Sequence, residues 1–164
     1  MNDDVISRRE AEEDVLIMAR RLAWLHQAYA RTMVDQLGEE KAVPLIRQAI
    51  YAYGRRAGKL ARRFVEEKEL PLTPENMGKS PDLPKLGWEK DNLKDQEGRP
   101  VPVISRCPLA VEWQAMGEEK LGRLYCYVDQ AKAEGFNPEL ICTHEQNVLD
   151  GDPVCQIVTR KRDP

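Results

Sequence analysis

The stretch SRREAEEDVLIMARRLAWLHQAYARTMVDQLG, residues 7–38, decides the architecture of the N-terminal half. Ser7 and Glu10 form a capping box, in which each side chain satisfies a backbone N–H of the other residue at a helix start. Apolar residues then recur at steps of three and four, which places them on one helical face: Val15, Met18, Leu22, Leu25, Tyr29, Met33 and Leu37. Gly38 is a favourable helix C-cap. The pattern therefore predicts one long helix over residues 8–37.

A second apolar stripe begins directly after Gly38. It consists of Val43, Ile46, Ile50, Tyr53, Ala57, Leu60 and Phe64. Two facing stripes joined by a very short link predict an antiparallel helical hairpin over residues 8–68. Gly54 and Gly58, four residues apart, would let another backbone approach this helix closely. The apolar stripe that the hairpin exposes predicts a homodimer.

The rest of the chain predicts a mixed architecture. Residues 69–100 contain four prolines between 71 and 84, so we expect a long connection without helix, anchored by Trp88. In the final part, residues 101–164, we expect a short strand at 100–105 and β segments on either side of a turn at 150–152. Short helices are expected between these strands, one opened by Pro108 and one from Glu118 to about Glu134, closed by Gly135. The fold class predicted for residues 1–164 is a single α+β domain, a helical hairpin followed by a small, mostly antiparallel sheet with short helices.

Composition narrows the function classes. Of the 164 residues, 41% are hydrophobic and 32% charged, and the formal net charge is −3. A basic run at residues 55–63 is either an anion site or a solvated helix face. The acidic balance of the chain favours the second and argues against nucleic acid as a partner. We also expect no membrane contact and a cytoplasmic protein with reduced thiols, because no long apolar run or export signal is visible.

The four cysteines, Cys107, Cys126, Cys142 and Cys155, lie in the last third of the chain without a CxxC pair. Each taken alone is as compatible with a small buried apolar residue as with a reactive group. Cys107 is the best placed nucleophile, because it precedes a helix that begins at Pro108 and a helix N-terminus lowers a thiol pKa.

The other side chains that could take part in a reaction lie before and after the final turn of the sequence. Cys126 has Asp129 three residues later, and Cys155 follows the turn. A hairpin at Gly151 would bring His144 towards Cys155, and Cys142 would share the face of His144. Two hypotheses follow: a thiolate–imidazole pair, or a zinc site with four ligands, namely Cys107, Cys126, His144 and Cys155. His26 stands alone in the first helix and is expected to be a core or boundary residue.

Three motifs in this order resemble the L-2-amino-thiazoline-4-carboxylic acid hydrolase family: RCPLAVEW (106–113), LGRLYCYVDQAKAEGFNP (121–138) and LDGDPVC (149–155), after the helical YAYGRRAG (51–58). The last motif is also similar to the end of vinyl-reductase-like small-molecule-binding domains, some of which hold zinc. The family resemblance implies hydrolytic opening of the ring of 2-amino-thiazoline-4-carboxylate. Residues that match the shared pattern are Cys107, Cys126, Asp129 and Cys155, whereas His144 matches no position of it.

The resemblance and the residues together give an expected mechanism. The thiolate of Cys107 or Cys155, or a zinc-bound water, attacks the amidine-like carbon of the ring, and Asp129 or His144 moves protons. The substrate-binding residues expected are Cys126, together with Arg106 or an arginine of the basic run such as Arg55, which would hold the substrate carboxylate. The alternative is a non-catalytic domain that binds a small molecule or a metal, and a third hypothesis is a helical oligomerisation domain with buried cysteines.

Overall fold

The computed structural model describes residues 6–84, 86–94 and 100–162. Its helices are α1 (Arg8–Leu37), α2 (Glu39–Glu66), α3 (Pro74–Met77), α4 (Pro108–Ala115), α5 (Glu119–Tyr125) and α6 (Tyr127–Phe136). Its strands are β1 (Glu89–Lys94), β2 (Pro100–Arg106), β3 (Leu140–Gln146) and β4 (Cys155–Lys161), and a 3-10 turn spans Val148–Asp150. The predicted α+β class is confirmed.

The predicted capping box and helical hairpin are present. The Ser7 hydroxyl accepts a hydrogen bond from the Glu10 N–H at 3.2 Å, and Glu10 Oε2 accepts one from the Ser7 N–H at 2.9 Å. Gly38 ends α1 with a φ of +74° and is followed at once by α2. This positive φ favours glycine, because a Cβ disfavours it.

The face of α1 that enters the core differs from the predicted stripe. The buried residues of α1 are Ala19, Ala23, His26 and Ala30, whereas Met18 and Tyr29 are 65% and 68% exposed. Small side chains let α1 approach α4 and α5, so the larger apolar residues stay at the edge. Apolar residues of α1 and α2, Tyr29 among them, line an open groove of about 320 Å³ between these two helices. The homodimer predicted from this apolar surface stays a prediction.

His26 is a core residue. Its Nε2 lies 2.9 Å from the Leu121 carbonyl oxygen and therefore donates to it. The ring meets Trp113 and Tyr125 edge to face, with centroids 5.5 and 5.3 Å away. Burial lowers the pKa of His26, which keeps the ring neutral.

Helix α6 is packed directly against the backbone of α2. A Cβ added at Gly54 would lie 2.6 Å from the Val128 carbonyl oxygen, and one added at Gly58 would lie 2.8 Å from the backbone nitrogen of Phe136. From the other side, a Cβ at Gly135 would lie 2.5 Å from the Arg55 carbonyl oxygen. The close approach predicted from Gly54 and Gly58 is therefore confirmed, and its partner is α6.

Three local predictions need correction. Helix was excluded from residues 69–100, yet Pro74 opens the one-turn helix α3, since proline suits the first helical position. The strand β1 in the same segment was not predicted. The helix expected from Glu118 to about Glu134 is two helices that meet at Cys126, and Gly135 lies inside α6 instead of ending it. Trp88 packs against the core as expected.

The four strands form one antiparallel sheet in the order β1-β2-β4-β3. In the register of β3 and β4, His144 lies opposite Ile157, and Ile104 of β2 lies opposite Cys155. Helix α6 lies between α2 and β3, with a buried cluster formed by Ala61, Val65, Ala133, Phe136, Leu140 and Cys142. The position of α6 on α2 thus fixes which residues face β3. Within the described residues, no helix is long and apolar enough to cross a bilayer.

The first prediction concerns the contact between α2 and α6. Gly58→Ala should lower the free energy of unfolding by roughly 1–3 kcal/mol, because the methyl group collides with the Lys132 carbonyl and the Phe136 nitrogen, both backbone atoms. This cost outweighs the gain of up to about 1 kcal/mol in helix propensity. Urea unfolding measures it.

The matched control is Gly78→Ala. Its added Cβ would lie 3.6 Å from the nearest atom, the Glu75 carbonyl oxygen, so the stability should change by less than about 0.5 kcal/mol. A Gly58→Ala protein as stable as wild type would show that the two backbones are not tightly packed.

Candidate functional site

A small cavity opens where the end of α5, the start of α6 and strand β3 meet. Its volume is about 190 Å³. It is lined by Arg123, Cys126, Tyr127, Gln130, Cys142, Thr143 and His144. A cation, a base and thiols therefore face one small space, and hydrolysis of small molecules uses these groups.

His144 supplies an imidazole to the cavity wall. Its Nε2 lies 3.1 Å from Oδ2 of Asp129. An ionised carboxylate only accepts hydrogen bonds, which assigns the proton to Nε2 and leaves the lone pair on Nδ1. Only 8% of the His144 side chain is exposed. The ring is thus oriented by Asp129, and its other nitrogen, Nδ1, faces Arg123.

Asp129 is paired with one further charge, the ammonium of Lys132, through its other carboxylate oxygen. Its Oδ1 lies 3.7 Å from Nζ of Lys132, which itself lies 2.6 Å from Oδ2 of Asp82. Burial alone would raise the pKa of Asp129. The hydrogen bond from His144 and the Lys132 ammonium outweigh burial and leave the pKa of Asp129 below its ordinary value. Asp129 is therefore ionised at neutral pH.

Arg123 is the cation of the cavity. Its Nε donates to Oδ2 of Asp150 at 2.7 Å, and Nη1 lies 3.5 Å from Nδ1 of His144. Its guanidinium also lies 5.9 Å from the centre of the Tyr127 ring. This places a group suited to carboxylate binding next to the basic nitrogen of His144.

Cys126 is the thiol placed at the break between α5 and α6, and it lines the cavity. Burial raises the pKa of Cys126 to about 12, which Asn147 and Arg123 only partly oppose. Cys142, also on the cavity wall, has its pKa raised by burial to about 11, and it shares the face of His144 as β3 alternates. Both thiols are protonated at neutral pH, so a nucleophilic role needs a base.

Cys107 and Cys155 do not line the cavity. Burial raises the pKa of the Cys107 thiol, although the N–H groups of Leu109 and Ala110 at the start of α4 lower it in part. The expected lowering by the helix N-terminus is thus outweighed. Cys155 Sγ accepts a hydrogen bond from the Val148 N–H at 3.5 Å, and burial raises the pKa of this thiol too.

The predicted arginines point elsewhere. Arg55 pairs with Glu134 at 3.1 Å and Arg106 pairs with Glu89 at 3.5 Å, and the two arginine side chains are more than half exposed. Neither arginine lines the cavity. Arg123, which the sequence analysis did not single out, occupies the position that was expected of them.

The zinc hypothesis finds no preformed ligand set. In the described ranges no three His, Cys, Asp or Glu side chains are grouped to share a metal ion. Both ring nitrogens of His144 face Asp129 or Arg123 instead of the thiols of Cys107 and Cys155.

Three residues of this region were missed by the sequence analysis: Arg123, Lys132 and Asn147. Helical spacing holds a signal for the first two. Arg123 precedes Cys126 by three positions and Lys132 follows Asp129 by three, which places each pair on one helical face. No local pattern singles out Asn147, because its burial depends on the whole C-terminal half.

The chain matches a known protein family along most of its length. A family model described as L-2-amino-thiazoline-4-carboxylic acid hydrolase matches residues 16–158. This range contains the whole cavity wall and most of the chain. No curated protein and no solved structure matches the chain.

The second prediction concerns Asp129. Asp129→Asn should lower the free energy of unfolding at pH 7 by roughly 1–3 kcal/mol, because it removes the charge that His144 and Lys132 stabilise. A carboxyl group whose pKa is depressed by folding stabilises the protein above its unfolded pKa of about 3.9 and loses this effect as the pH falls through the folded value. The difference from wild type should therefore vanish as the pH falls below about 4. Urea unfolding across this range measures it.

Asp150→Asn is the control, because the Asp150 side chain is half exposed and its pair with Arg123 should contribute less than about 1 kcal/mol. An Asp129→Asn protein as stable as wild type at pH 7, or a difference that grows in acid, would contradict the assignment of Asp129 as a stabilised buried charge.

Proposed function

Because the chain belongs to the L-2-amino-thiazoline-4-carboxylic acid hydrolase family, we propose that it opens a small cyclic substrate of the 2-amino-thiazoline-4-carboxylate type by hydrolysis. The observation that carries the proposal is the cavity in which Cys126, His144 and Arg123 converge. A volume of about 190 Å³ suits a single five-membered ring with small substituents.

The residues that line the cavity first bind the substrate. Arg123 holds the substrate carboxylate, since a guanidinium forms charge-assisted hydrogen bonds with carboxylates. Its pair with Asp150 is half exposed and so is weak enough to be shared with a ligand. Bound in this way, the ring lies beside Cys126 and His144.

The chemistry takes place at the ring carbon that bears the amino group. His144 Nδ1 takes the proton of the Cys126 thiol, and Asp129 stabilises the resulting imidazolium. The sulfur of Cys126 then bonds to the ring carbon, whose double bond to the ring nitrogen becomes single as that nitrogen takes the proton from His144. The bond from this carbon to the ring sulfur then breaks while the exocyclic amino group forms a double bond to the carbon. The proton that the amino group loses passes through His144 to the ring sulfur, which leaves as a thiol.

Water completes the reaction. It adds to the same carbon, now attached to Cys126 as an isothiourea, and the bond to Cys126 breaks as its sulfur regains a proton. The sum is one substrate plus one water, which gives a ureido acid with a free thiol. The covalent step makes Cys126 the nucleophile in place of Cys107 and Cys155, which were expected from the sequence, because those two thiols do not line the cavity.

The third prediction tests the nucleophile. Cys126→Ser should lower the rate of thiol release from 2-amino-thiazoline-4-carboxylate by roughly a thousandfold or more, because serine is a much weaker nucleophile at this position. Cys107→Ser and Cys155→Ser should stay within about tenfold of wild type. A colorimetric thiol assay measures the rates.

Cys142→Ser is the matched control, because this thiol lines the same cavity from β3. Full turnover in Cys126→Ser would contradict the covalent mechanism, and loss of turnover only in Cys107→Ser or Cys155→Ser would move the nucleophile to that residue.

A second candidate function is binding without turnover, and the high pKa of the buried thiols favours it. A protonated thiol without access to a base holds a ligand by contact only. Calorimetry that detects binding of the thiazoline, together with no released thiol under the same conditions, would select this candidate.

A further inference from the structure

Asn147 is fixed almost completely within the connection between β3 and the 3-10 turn. It is 1% exposed. Its Oδ1 accepts the Leu149 N–H at 2.9 Å, and its own N–H donates to Asp152 Oδ2 at 2.8 Å. Its carbonyl accepts from the N–H groups of Asp150 and Asp152. The side chain therefore has one orientation.

The amide nitrogen of this side chain is the exception. Among the buried side-chain atoms that the structure describes, Asn147 Nδ2 has no hydrogen-bond partner. Because Oδ1 is identified by the N–H that it accepts, Nδ2 is the other atom of the amide and cannot be exchanged with it. A buried donor without a partner costs about 1–3 kcal/mol. Such a cost in a fixed side chain calls for an explanation.

The Asn147 side chain acts on the thiol of Cys126. Burial raises the pKa of Cys126, and the Asn147 side chain is the strongest group that lowers it. Arg123 also lowers this pKa, whereas the charges of Asp129 and Cys107 raise it. The effect of Asn147 is that of a side-chain hydrogen bond, which requires its amide to lie close to the sulfur of Cys126.

We propose that Asn147 is a positioning residue whose Nδ2–H group donates to the sulfur of Cys126 once this sulfur is a thiolate. The donor makes no well-formed hydrogen bond to the neutral thiol, and it gains a charge-assisted one when the proton of Cys126 moves to His144. The amide therefore stabilises the thiolate of Cys126 more than it stabilises the thiol. The inference rests on the proposed function in so far as Cys126 is the attacking group.

The test is alkylation of the free thiols by iodoacetamide, followed peptide by peptide with mass spectrometry at pH 8 to 10. Asn147→Ala removes the whole amide, and Asn147→Asp keeps the oxygen that caps Leu149 but removes the donor. In both proteins alkylation of Cys126 should be roughly tenfold slower or more, because a hydrogen bond to a charged group is lost. Alkylation of Cys142 in the same samples should not change.

Asn137→Ala is the matched control. Asn137 also caps a turn, its Oδ1 accepting the Glu139 N–H at 3.0 Å, but it lies at the other end of β3. Its substitution should leave Cys126 alkylation at the wild-type rate. Cys126 that reacts at an unchanged or higher rate in the Asn147 variants, or that does not react in wild type up to pH 10, would overturn the proposal.

A measurement on the wild-type protein covers the case in which neither variant folds. The side-chain NH₂ resonances of Asn147 should begin to shift between pH 8 and 10, where the first thiolate of Cys126 forms below its pKa of about 12, and resonances that stay constant over this range would overturn the proposal. Both readouts are independent of substrate. Asn147-dependent alkylation without thiazoline turnover would refute only the proposed function, and turnover with Asn147-independent alkylation would refute only this inference.

Discussion

The contact between the backbones of α2 and α6 determines the geometry of the C-terminal half. At Gly54, Gly58 and Gly135 the two helices are so close that a methyl group would collide with backbone atoms of the opposite helix. Backbone packing of this kind leaves little freedom for sliding or rotation. The register of α6 is therefore fixed, and with it the direction in which Asp129 and Lys132 project towards β3.

A chain of polar groups that leads into the cavity is built on that register. It runs from the exposed Asp82 through Lys132 and the partly buried Asp129 to the imidazole of His144. Each charge offsets the desolvation of the next, so the carboxylate stays ionised and holds one tautomer of the imidazole. The thiols show the opposite outcome, because they are buried without a full counter-charge and their pKa values rise. In the proposed mechanism His144 takes the proton of the neutral Cys126 thiol, which lines the same cavity.

Local sequence patterns predict the long helices, but they do not predict how the elements pack against one another. The hairpin and the glycine spacing of α2 follow from periodicity and could be predicted. The strand β1 could not be predicted, because the prolines earlier in the same segment indicate an irregular connection and the extended run is short. The turn at Cys126 is flanked by helical sequence on both sides, so no signal marks it. Arg55 and Arg123 look alike as sequence, and only the tertiary fold places Arg123 at the cavity. Likewise, the pKa of Cys107 is decided by burial that the sequence does not display.

The central claim is that Cys126 forms a covalent bond with the substrate in the cavity that α6 and β3 enclose. Rapid acid quenching of a single turnover with 2-amino-thiazoline-4-carboxylate, followed by peptide mass spectrometry, tests it most directly. The account predicts that the peptide containing Cys126 transiently gains the mass of one whole substrate. A Cys126 peptide that stays unmodified while the free thiol product accumulates, or an adduct on Cys107 or Cys155, would contradict it.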